Sequence, residues 1–125
     1  MILGLGLDLV EISRVADALE RWGDRLVEKL MDDDEASRLP ADASARALAL
    51  ARAVAAKEAA SKAIGTGWSR GVRWRDVVLD TGPEPRVTLR GRAAQVAAGL
   101  GSPGATEVRF ERQGDLLLAV LRLLG

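Results

Sequence analysis

From about Ser44 to Ile64 the chain carries an alanine-rich stretch without a single proline or glycine. Alanine is the best helix former, so this stretch predicts one long helix around which everything else must be arranged. Its small side chains permit a sheet to pack closely around it, with Leu48, Leu50 and Val54 supplying bulk. The helix ends at Gly65-Thr66-Gly67, where glycine stops it and leaves the backbone open to close approach. Near that end Glu58 and Lys62 stand at i and i+4 and project from one face, one turn apart. By itself such a pair is the common solvated ion pair, worth about 0.2–0.5 kcal/mol.

The segment Ile2–Ile12 has the alternation of a strand. Leu3, Leu5, Leu7 and Leu9 share one face, and Ile2, Gly4, Gly6 and Asp8 the other. Glycines inside a strand mark a place where a ligand or another backbone comes close. Asp8 has two readings: a cap for the helix that follows, or a ligand. Asp8 and Glu58 sit on separate rigid elements, and together they suit a hard cation if the fold brings them together. Magnesium takes one or two carboxylates plus substrate phosphates and water. Lys62 beside them would serve phosphate oxygens as a point charge.

Along the rest of the chain, Ile12, Val15, Leu19, Trp22 and Leu26 recur at helical steps and predict an amphipathic helix. Asp34–Arg38 forms a short helix broken near Pro40, and the acidic run Asp32-Asp33-Asp34-Glu35 reads as a solvated helix start. Val72–Asp80 is β-rich, Thr81–Pro85 is a turn cluster, and Arg86–Arg90 alternates with Val87 and Leu89 inward. Gly91–Leu100 reads as a helix, and Glu107–Phe110 with Leu116–Leu123 as a hairpin turning near Gln113-Gly114-Asp115. Strands separated by one long and several short helices predict an α+β fold: an antiparallel sheet wrapped around the central helix. The length of 125 residues fits one domain, 1–125.

Composition excludes several function classes. Eighteen basic and eighteen acidic residues balance, so bulk charge calls for neither nucleic acid nor an anionic membrane. With no cysteine and no histidine, thiol chemistry, imidazole bases and the usual zinc ligands are all absent. The N-terminal apolar stretch lacks a basic leader, and Leu116–Leu124 is too short to span a bilayer. A soluble, cytoplasmic protein is expected.

Two motifs carry a family resemblance: Gly4-Leu5-Gly6-Leu7-Asp8-Leu9-Val10-Glu11-Ile12 and Ala56-Lys57-Glu58-Ala59-Ala60-Ser61-Lys62-Ala63-Ile64-Gly65-Thr66-Gly67. A weaker third is Glu84-Pro85-Arg86-Val87-Thr88-Leu89-Arg90-Gly91. With these the chain resembles the holo-acyl carrier protein synthases, the small trimeric 4'-phosphopantetheinyl transferases. The resemblance implies transfer of the 4'-phosphopantetheine arm of coenzyme A to a serine of an apo acyl carrier protein of fatty acid or polyketide biosynthesis, releasing 3',5'-ADP. It implies Asp8 and Glu58 as magnesium ligands and Lys62 as the group neutralising phosphate, the three together forming the catalytic set. It places Ser61 and the backbone of Gly65, Thr66 and Gly67 along the coenzyme cleft. Pro85 and Arg86 would reach the nucleotide from a neighbouring subunit of a homotrimer, and Arg14 would meet the acidic carrier.

The chain also departs from the family pattern. Ala53-Val54 stands where an arginine–aromatic pair is usual. Where the family has a motif bounded by two histidines, this chain has Glu107-Val108-Arg109-Phe110-Glu111-Arg112. Glu107, Glu111, Arg112 or metal-bound water would have to take over the imidazoles' part. The same alternation also suits an ordinary half-exposed strand. The alternative function is a diverged relative that binds the carrier without transferring to it.

Overall fold

Five strands and five helices order residues 1–125 of the computed structural model. They are β1 (Ile2–Glu11), α1 (Ile12–Trp22), α2 (Asp24–Leu30), α3 (Asp33–Ser37), α4 (Ala43–Ala63), β2 (Val77–Asp80), β3 (Arg86–Leu89), α5 (Gly91–Gly99), β4 (Ala105–Gln113) and β5 (Leu116–Leu124). The alanine-rich stretch is α4, capped by Asp42, whose carboxylate accepts the Ala45 N–H at 3.0 Å. Its buried residues are almost all alanine, so neighbouring elements approach its backbone closely.

The closest approach is made by β1. A Cβ added at Gly4 would lie 2.0 Å from the Ala63 carbonyl oxygen, and one at Gly6 1.8 Å from that of Ala59. Side chains cannot occupy those positions, so the glycine face of the strand is the face that lies on the helix. The visitor that the glycines admit is the helix backbone. Because successive residues alternate, Asp8 follows them on the same face, at the end of the contact.

Strands β1, β5 and β4 form one antiparallel sheet in that order. Its inner face buries Leu117, Ala119, Leu121 and Leu123 of β5, the strand that lies on α4 with β1, and Val108 of β4 beside them. Each of the three buried β5 leucines contributes about 1.5–3 kcal/mol. Its outer face is bare and apolar: Leu5, Leu7 and Leu9 are 54, 49 and 60% exposed. Across the register Leu7 opposes Val120 and Leu9 opposes Leu118, which extends the apolar surface onto β5.

Strands β2 and β3 form a second antiparallel sheet that buries Val77, Leu79, Val87 and Leu89. The Thr106 hydroxyl links the two sheets, donating to the Val87 carbonyl at 2.7 Å and accepting the Val87 N–H at 3.3 Å. The α+β architecture around a central helix is as expected, with the sheet divided in two.

Four expectations need correction. Gly23, at φ 54°, breaks the apolar stripe into α1 and α2, and Trp22 is half exposed rather than core. Asp8 does not cap α1. Asp115 does so, accepting the Ser13 N–H at 2.9 Å and the Ser13 hydroxyl at 2.5 Å. Val72 and Arg73 lie outside any strand, because a 3-10 turn at Trp74–Asp76 precedes β2. Finally, the acidic run is not wholly solvated: Glu35 is only 3% exposed.

Candidate active site

Asp8 comes from the end of the β1–α4 contact, and Glu58 and Lys62 from successive turns of α4. Lys62 Nζ lies 3.0 Å from Asp8 Oδ1 and also donates to the Leu7 carbonyl at 3.0 Å. The simple i,i+4 surface pair is therefore not what forms. Lys62 turns to the strand, and Glu58 has no ion-pair partner. Asp8 and Glu58 line one cavity of about 470 Å³ together with Arg14, Leu26, Leu50 and Val54. Arg14, in the first turn of α1, thus stands at the rim of the carboxylate site.

This donor set suits a hard divalent cation. Both groups are carboxylates, one wholly unpaired and the other paired through a single oxygen. No three His, Cys, Asp or Glu side chains converge anywhere in the chain. A cation held here would complete its shell from substrate phosphate and water, which is how magnesium usually binds.

The other expected residues are spread more widely. Gly65, Thr66 and Gly67 follow the C-terminus of α4, with positive φ at both glycines (83° and 56°). Thr66 is buried, and its hydroxyl donates to the Gly67 carbonyl at 2.9 Å. Ser61 is buried, and its hydroxyl donates back to the Glu58 carbonyl at 2.7 Å, so it does not reach the cavity of Asp8 and Glu58. Pro85 and Arg86 line a different cavity of about 760 Å³, shared with Thr106, Glu107 and Arg109. Glu107 pairs loosely with Arg122 across the strands at 3.8 Å. Glu111 and Arg112 are exposed farther along β4. The replaced histidine motif is a half-exposed strand, with Val108 alone fully buried.

Sequence reasoning missed a second charged cluster on α4. Lys57 is fully buried, and its ammonium lies 3.0 Å from Glu35 Oε1 and 3.1 Å from the Trp74 carbonyl, and also donates to the Val77 carbonyl. Glu35 Oε2 accepts the Leu79 N–H at 3.2 Å. Burial pulls the Lys57 pKa below the ordinary lysine value, and the Glu35 carboxylate opposes that pull. Asp32 accepts the Glu35 N–H and pairs with Arg90 at 2.6 Å. The hydrogen bond from the Glu35 backbone and the Arg90 charge hold its carboxyl below the usual range, against a smaller cost of burial. The only signal in the sequence was that Lys57 belongs to the quoted motif yet had no part to play.

Known proteins resemble this chain in sequence and in fold. The family model described as the 4'-phosphopantetheinyl transferase superfamily matches residues 4–119. A holo-(acyl-carrier-protein) synthase of Acidithiobacillus ferrooxidans is 46% identical over 103 residues, 81% of this chain and 80% of that one. Another, of Halorhodospira halophila, is 41% identical over 124 residues, 97% of this chain and 98% of its own. The fold matches a Helicobacter pylori holo-(acyl-carrier-protein) synthase solved in complex with coenzyme A. That match has a TM-score of 0.78 and 20% identity, and covers 96% of this chain and 99% of that one. With its first strand laid on the motif helix, this chain belongs to the 4'-phosphopantetheinyl transferase superfamily.

Proposed function

We propose that residues 1–125 act as one holo-acyl carrier protein synthase domain. The substrates are coenzyme A and an apo acyl carrier protein, and the products are the holo carrier and 3',5'-ADP. The observation that carries this reading is the meeting of Asp8 and Glu58 in one cavity, with Lys62 on Asp8. Relatives over two-fifths identical along most of the chain bear the same enzyme name.

In the reaction, the carrier serine oxygen forms a bond to the pantetheine-bearing phosphorus. The bond from that phosphorus to the 3',5'-ADP oxygen breaks, and the serine proton passes to a carboxylate or water in the cleft. Asp8 and Glu58 would hold magnesium, which when bound supplies neutralising charge to the pyrophosphate. Lys62 is half exposed, so it can swing from Asp8 to a phosphate oxygen. The Gly65–Gly67 backbone gives the coenzyme a surface without side-chain obstruction. Arg14, at the cavity rim, offers positive charge to an acidic carrier just where the serine must enter.

The working form we propose is a homotrimer. Leu5, Leu7 and Leu9 are exposed and the half-buried Leu118 and Val120 beside them extend the apolar surface, of the kind that marks an interface. Arg109 lies opposite Val120, so the cavity of Pro85 and Arg86 opens at the edge of that surface. A second copy docked there would bring one chain's carboxylate site towards another's arginines.

The test is incubation with coenzyme A, magnesium and an apo carrier protein. The expected result is a mass gain of one phosphopantetheine on the carrier serine. Glu58→Ala should lower the rate at least about a thousandfold, equivalent to about 4 kcal/mol, with the melting temperature unchanged. Carrier binding without any mass gain would instead support the diverged, non-catalytic reading.

A further inference from the structure

Helix α4 is buried mainly through alanines: among its buried residues only Leu50, Lys57 and Ser61 are anything else. β1 seats the helix where Gly4 and Gly6 meet the Ala63 and Ala59 carbonyls, but away from that contact α4 offers mostly methyl groups, which fit a neighbouring surface at many angles. Lys57 is the largest fully buried side chain of the protein. Its ammonium has three N–H donors, and three acceptors surround it: Glu35 Oε1 from α3, and the carbonyls of Trp74 and Val77 from the turn into β2. Glu35 is held in turn by the Leu79 N–H. One side chain therefore keys α4 to two other elements.

The residue beside it is Glu58. Consecutive helical residues point about 100° apart, so Lys57 faces the interior while Glu58 faces the cavity. A rotation of about 20° would move a carboxylate at the helix's outer radius of about 5–6 Å by about 2 Å. A shift of about 1 Å is enough to cost about a hundredfold in rate. Trp74, whose carbonyl takes one of the Lys57 hydrogen bonds, also touches the segment that follows α4. The Trp74 ring stacks on Trp68 with centroids 4.0 Å apart, and Trp68 directly follows Gly67.

We infer that Lys57 is a positioning residue. Without touching substrate, it sets the angle of Glu58 towards Asp8 and anchors the loop at Gly65–Gly67. This rests on the transferase reading above.

The test compares the wild type, Lys57→Met, and the double variant Glu35→Leu/Lys57→Met. Lys57→Met alone leaves Glu35 buried without its partner and should melt at a clearly lower temperature. The double variant removes both buried charges but leaves the Leu79 N–H and the Val77 carbonyl without their partners, so it should melt above Lys57→Met alone and below the wild type. Even so, calorimetric titration with coenzyme A and magnesium should show about tenfold weaker binding, and kcat should fall about a hundredfold with the KM for carrier unchanged. A double variant that recovers both stability and coenzyme binding, or that fails to fold, assigns the pair to the scaffold alone and overturns the inference. A wild type that binds no coenzyme A overturns the transferase reading itself.

Discussion

Lys57 and Lys62 sit on the same helix, five residues apart, and their surroundings are opposite. Lys57 is fully enclosed, with every donor satisfied and its carboxylate partner also spoken for. Lys62 is 52% exposed and shares one oxygen of an aspartate, beside a glutamate that has no partner. Buried charge is tolerated only when completely paired, because an uncompensated ion in the interior is costly. Charge that is incompletely paired at a cleft is free to meet a ligand. The difference separates the groups that hold the helix from the groups the helix presents.

The largest way to break that contrast is Gly6→Ala. The added methyl would collide with the Ala59 carbonyl and push β1 off α4, removing Asp8 from Lys62. A loss of about 3 kcal/mol or more is expected in chemical denaturation, and an unchanged midpoint would show that the strand–helix contact is compliant. Next is Lys62→Ala, which should raise the KM for coenzyme A about tenfold, or about 1.4 kcal/mol, and leave the carrier's KM alone. Arg14→Glu should do the reverse, and equal losses of both affinities in either variant would show that the two roles are misassigned.

The smallest effect is on the enclosed side. Asp32→Asn keeps a capping side chain for α3 but removes the charge facing Arg90, at a cost of about 0.5–1 kcal/mol for a partly exposed pair. Because folding lowers the Asp32 pKa, its stabilisation is present above the ordinary aspartate value of about 3.9 and fades as pH falls through the lower folded value. Melting curves of the two proteins should therefore converge at acid pH and separate near neutrality. A gap that persists at low pH would mean that the charge was not the cause.

Much of this was legible in the sequence because local rules and tertiary needs agreed. The alanine run specified α4 within a residue at each end, and the glycines of β1 announced a close neighbour, ligand or backbone, which the structure shows to be the helix backbone. The alternation of Val87 and Leu89 gave the correct inward face of β3. What failed depended on partners distant in sequence. Glu35 looked like part of a solvated run because its lysine lies 22 residues away. Asp115 showed no sign of capping a helix 102 residues earlier. The stripe from Ile12 to Leu26 read as one helix because periodicity alone does not register the left-handed turn at Gly23. Ser61 fell on the predicted helix, but only the packing shows that its hydroxyl turns back to the Glu58 carbonyl.

The pairing of β1 with β5 has a consequence for how the molecule comes into being. β1 has no strand partner other than β5, and the first turn of α1 is held by the turn leading into β5. During translation the leucine-rich opening must wait, unpaired, for about a hundred further residues to leave the ribosome. Such long-range closure is slow. Assembly of the carboxylate site is thereby postponed until β5 has been made, and a nascent chain stalled before that strand would be inert and prone to clump.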